Sequence, residues 1–130
     1  MPKINRLSVN IGLARNDGGA DNSPAHAEQT LRDALAAFGF GMLYEAPVEV
    51  RQSATESTLV GYFILVHDGQ PQADALRKAI NACSIELAQD CIAVHIDGKG
   101  ELIGPKADAW GPFNPQYWLI PASRYPVEAE

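Results

Sequence analysis

The nine residues from Leu59 to His67, LVGYFILVH, are apolar on both faces of any strand they form. Successive side chains of a strand point to opposite sides, so Tyr62, Ile64 and Val66 share one face and Phe63 and Leu65 the other. Leaving Phe63 and Leu65 in water would forgo roughly 1.5–3 kcal/mol of burial each. The run therefore reads as a central strand of a sheet with something packed above and below it. Few architectures available to a short chain satisfy that demand.

The flanking sequence supplies the remaining elements. Leu7, Val9, Ile11 and Leu13 alternate with Arg6, Ser8, Asn10 and Gly12, the mark of a half-buried strand. A polar loop, ARNDGGADNSP, ends in Ser23-Pro24, a helix cap followed by proline at the first helical position. Ala27, Leu31, Ala34, Leu35 and Phe38 then recur at helical spacing, and Gly39 and Gly41 supply a stop. Residues 42–52 alternate again, with Pro47 inside the run, which places that strand at an edge. SATES (53–57) connects it to the apolar strand. After Asp68-Gly69, Pro71 opens a second helix with the stripe Leu76, Ile80, Cys83 and Leu87. Ile92, Val94 and Ile96 mark a fourth strand, Gly98-Lys99-Gly100 a turn, and residues 101–104 a short returning partner.

The order β-α-β-β-α-β predicts an α+β fold of ferredoxin-like pattern: an antiparallel sheet in the order 4-1-3-2 with two helices on one face. Residues 1–104 form this domain. Residues 105–130 are an aromatic, proline-rich C-terminal extension carrying Trp110, Phe113, Tyr117 and Trp118, expected to pack on the same domain. The segment is too aromatic for an ordinary disordered tail and too often broken by proline for a long helix. Either this extension or a second copy of the chain is the expected cover for the open face of the sheet.

Composition removes several function classes. The net charge is -6, and the lysines and arginines are scattered, so unassisted phosphate neutralisation and nucleic-acid binding are not expected. Leu65 and His67, with Ser8 on the first strand, also stand where an RNA-recognition sheet needs stacking aromatics. No stretch approaches the ~18 apolar residues of a membrane span. The start, MPKINRLSVNIG, lacks the apolar core of a secretory leader. Cys83 and Cys91 make no disulfide framework. A cytoplasmic protein follows from these features.

Chemistry concentrates in two similar strand ends, LVHDG and VHIDG, which bring His67 with Asp68 and His95 with Asp97. In the expected sheet both histidines flank the first strand near Arg6 and Ser8. His95 faces the open side, and His67 joins it if Ile64 and Val66 face the helices. Strands separated by one other lie ~9.5 Å apart, far for two ligands of one metal. No metal motif and no cofactor fingerprint occurs, so none is expected. Histidine titrates near neutrality, and Asp97 or Glu49 stands ready to tune His95 as a general acid-base. The Asp-Gly halves also suit plain turns. Cys83 reads as core, and Cys91 lies ~13 Å along its strand from His95, beyond hydrogen-bond reach.

Three functions follow. The leading one is a small interaction module using the open sheet face and aromatic tail to engage a protein partner or a second copy, as a homodimer. The second is a small isomerase, lyase or hydrolase with His95 and His67 as catalytic groups. In either, Arg6, Asp97, Trp110 and Trp118 are the candidate ligand contacts. The third is an acidic inhibitor that mimics nucleic acid.

Overall fold

A computed structural model of the chain describes residues 3–52, 57–67, 72–111 and 113. Expectations for residues 53–56, for Asp68, Gly69 and Pro71, and for the extension beyond Phe113 lie outside those residues.

The elements are β1 (Lys3–Gly12), α1 (Pro24–Ala37), β2 (Gly41–Glu45), β3 (Glu49–Gln52), β4 (Ser57–His67), α2 (Gln72–Glu86), β5 (Ile92–Ile96), β6 (Lys99–Ile103) and α3 (Ala107–Trp110). Helix α1 starts as its sequence implies. Ser23 Oγ accepts from the His26 N–H at 3.1 Å, and Pro24 occupies the first turn. It ends at Gly39, whose φ of +93° lies where a side chain is strained. In the loop before it, the Arg15 guanidinium and the Gly19 N–H hold the Asp17 carboxyl down to about 2.

The six strands form one antiparallel sheet in the order β2-β4-β1-β5-β6, with β3 also on β4. The α+β class stands; the sheet has six strands where the ferredoxin-like pattern has four. Two local causes account for the difference. The run 42–52 is not one strand: a bulge lies between Met42 and Tyr44, and the segment around Pro47 leaves the ladder. Proline has no N–H to give, while the Ala46 N–H bonds the Tyr62 carbonyl at 3.0 Å. At the other side, the turn is Asp97-Gly98 rather than Gly98–Gly100. Both residues take positive φ, 51° and 89°, so the chain reverses tightly and Ile96 pairs with Lys99. That makes β6 a full edge strand.

The main core lies between the sheet and the helices α1 and α2. Leu7, Val9 and Ile11 meet Leu31 and Leu35 of α1 and Leu76, Ile80 and Cys83 of α2. Phe63 and Leu65 belong to this same core, whereas Val60 and Tyr62, with Ala46 and Ile64, cluster on the other face. The expected condition for His67, with Ile64 and Val66 toward the helices and Phe63 and Leu65 on the open side, is thereby reversed. Because both faces of β4 are apolar, its own pattern cannot choose between them. The choice comes from register: Leu7 pairs with Phe63, and Asn5 with Leu65. Among the described residues no helix is long and apolar enough to cross a membrane.

Candidate functional site

The face of the sheet away from the helices is built outward from β1. Ser8 pairs with Tyr62 on one side and His95 on the other, and His95 pairs with Gly100. One step along, Asn10 pairs with Val60 and Ala93, with Glu49 beyond Val60 and Leu102 beyond Ala93. Two rows, each with a polar β1 residue at its middle, thus run across this sheet face. The alternation that gives Leu7 and Val9 to the core gives Ser8 and Asn10 to this face.

These polar residues are not in water. Ser8 is 1% exposed, Asn10 8%, and both Tyr62 and Val60 0%. Over His95 stands Phe113, edge to face, with ring centroids 5.3 Å apart. Gly100 makes room for that ring, since a Cβ there would come within 2.5 Å of it. Glu49 and Arg51 approach each other at 3.8 Å on the same face. Ser8, Asn10, Glu49, Arg51, Tyr62 and His95 all have interaction partners. The centre of the open face is a buried layer in which Ser8 and Asn10 lie among Val60, Tyr62 and Ala93.

His67 is elsewhere. It follows Phe63 and Leu65 onto the helix face, where its Nε2 lies 2.9 Å from the Phe38 carbonyl oxygen and its ring tilts against Phe40 at 4.6 Å. A Cβ on Gly39 would approach Nε2 to 2.8 Å. His67 thus seals the C-terminal end of α1. Its register partner is Lys3, while that of His95 is Ser8. The expected pairing of the two histidines fails on both counts, face and register. The reversed parity of β4 accounts for the face.

Asp97 has a structural task. Its carboxylate accepts from Asn5 Nδ2 at 2.7 Å and from the Arg6 N–H at 2.8 Å. Its own N–H donates to the Arg6 carbonyl at 2.8 Å. The β5–β6 turn is thereby laced to β1, and the carboxylate is committed there rather than to His95. Arg6 is exposed at that same end. Trp110 is 50% exposed and donates from Nε1 to Asp90 at 3.2 Å. Trp118 lies outside the described residues.

The thiols are poor nucleophiles. Burial pushes Cys83 up to about 12, and burial also raises Cys91. Among the described residues no three His, Cys, Asp or Glu side chains gather as a metal site requires.

A different surface stands out, one not among the residues expected from the sequence. Among the described residues the exposed large apolar side chains are Ile4, Met42, Leu43, Tyr44, Val50, Ile85 and Trp110. Met42, Leu43 and Tyr44 sit on β2 and Val50 on β3, so most of them lie on one edge of the sheet. Among the described residues β4 is the only strand beside either. The sequence signal for it is the consecutive Met42-Leu43-Tyr44 triplet, which strict alternation does not accommodate.

No family model and no curated protein matches the chain. A solved structure described as a phage SAM lyase in complex with S-methyl-5'-thioadenosine resembles it at a TM-score of 0.38 and 14% identity, over 76% of this chain and 84% of that one. So distant a likeness leaves function to be argued from the geometry above.

Proposed function

We propose that the chain is a small protein-interaction module that engages a protein partner, or itself, through the β2–β3 edge of its sheet. The supporting observation is the row of exposed apolar side chains, Met42, Leu43, Tyr44 and Val50, along that edge. An edge strand offers main-chain N–H and C=O groups for pairing, and apolar side chains there add area when a partner strand docks. The centre of the open face is already buried, which moves the binding surface from the sheet face to its rim. The described start of the extension, residues 105–111 and 113, then serves the fold. Its α3 is tied down where the Lys106 N–H bonds the Asp90 carbonyl at 2.9 Å.

An acid-base role for His95 draws on one observation, the hydroxyl-bearing Ser8 and Tyr62 in the same cross-strand row. Against it, Phe113 stands on the imidazole and Asp97 is spent on β1. Nucleic-acid mimicry fares worse. Glu45 is paired with Arg32 and Glu101 with Arg77, so these carboxylates do not present a free phosphate-like stripe.

The test is site-specific photo-crosslinking in cells, with p-benzoylphenylalanine replacing Leu43 or, as a control, the exposed Asp33 on α1. Discrete adducts from position 43, absent from position 33, are expected. The same adducts from both positions, or none from position 43, contradict the proposal.

A further inference from the structure

The two edges of the sheet are built differently. The outer edge, β6, exposes Lys99 and pairs its Glu101 with Arg77 at 2.7 Å. It has no exposed large apolar side chain among those described. Charges of this kind are how sheet edges are kept from pairing. The β2–β3 edge has no lysine and presents four exposed apolar residues. A contact between unlike edges would propagate into a fibre, and the guarded β6 disfavours it. A contact between two like edges closes after two copies.

The sequence of this edge suits such a closed contact. Two copies of residues 41–52, run antiparallel about a twofold axis at Ala46-Pro47, place the β2 of each beside the β3 of the other. At the axis few main-chain bonds are needed. Pro47 has no N–H, and the Ala46 N–H is already given to Tyr62. On either side the faces agree. Tyr44 and Glu49 both pair with open-face residues of β4, Ile64 and Val60. Met42 and Val50 both pair with helix-face residues, Leu65 and Leu59. The twofold sets Tyr44 of one copy by Glu49 of the other, and Met42 and the bulge residue Leu43 by Val50. Glu45 meets Val48, so no like charges oppose each other.

We infer that the partner at this edge is a second copy of the chain, joined antiparallel through β2 and β3 into one continuous sheet. The inference rests on the edge-binding proposal above and sharpens it.

Sedimentation of the full chain over a range of concentrations reads it out. A dimer that dissociates on dilution is expected. Val50→Lys should raise its dissociation constant roughly tenfold or more, by setting an ammonium against apolar side chains. Ile85→Lys, the same change at an exposed position of α2, should not. Circular dichroism confirms that both variants fold. The register has its own test in a Cys91→Ser background. Chains carrying Tyr44→Cys mixed with chains carrying Glu49→Cys should form a mixed disulfide dimer, and neither alone should do so. A chain monomeric at every concentration, a dimer indifferent to Val50→Lys, or a symmetric disulfide from either single-cysteine chain overturns the inference. If the chain is monomeric but position 43 still captures another polypeptide, the second copy is ruled out and edge binding survives. If position 43 captures nothing, both fail.

Discussion

Gly104→Ala is expected to destabilise the protein by about 3 kcal/mol or more, the upper range for forcing atoms into a packed interior. Gly104 follows β6 where the chain passes against Asp90 and Cys91, just before β5. A Cβ there would sit 2.4 Å from Cys91 Cα, 2.5 Å from the Asp90 carbonyl oxygen and 2.8 Å from Ser84 Oγ. Two of the three are backbone or anchored to it, so no rotamer change relieves the contact. Ser84 is itself held, donating to the Gln89 carbonyl at 3.0 Å. Gly98→Ala is the control. Its φ is +89° but its Cβ meets nothing within 4 Å, so only the left-handed backbone cost of roughly 1–2 kcal/mol applies. Chemical denaturation of both variants should separate them clearly. Equal losses would mean that the close passage at Asp90 and Cys91 is not as described.

Asp97→Ala should cost about 3 kcal/mol, because hydrogen bonds to a charged group contribute more than neutral ones and a buried partner is left behind. The change removes the acceptor of both Asn5 Nδ2 and the Arg6 N–H, and Asn5 is 4% exposed. It also puts alanine at a φ of 51°. Asp97→Asn retains an acceptor and tolerates the left-handed backbone, so roughly half the loss is expected. An Asn5→Ala, Asp97→Ala double-mutant cycle then isolates the cross-strand bond. Were Asp97 instead a tuner of His95, its removal would leave stability nearly intact.

Much of the element order was legible because the periodicities were clean. The α2 stripe of Leu76, Ile80, Cys83 and Leu87 forms as expected, and all four are buried. Ser23-Pro24 marked the start of α1 through chemistry local to the chain. What could not be read is what depends on partners. The face of Phe63 was set by pairing with Leu7, and with it went the position of His67. The splitting of 42–52 followed from Pro47 and from a bulge that no short-range pattern announces. Ser8 and Asn10 alternate with apolar residues and so read as solvent-facing, yet they are buried. Of the candidate site, His95 on the face opposite the helices was legible because β5 is apolar on one face only. The exposed edge was not, since exposure is a property of what the rest of the chain leaves uncovered.

The sheet face is closed within the chain, while the β2–β3 edge exposes Met42, Leu43, Tyr44 and Val50. Tyr44 and Tyr62 measure this together, being the same residue type with ring centroids 6.3 Å apart. Brief hydroxyl-radical labelling of the dilute protein, read by mass spectrometry, should oxidise Tyr44 and spare Tyr62. Labelling of Tyr62 as readily as Tyr44 would contradict the account.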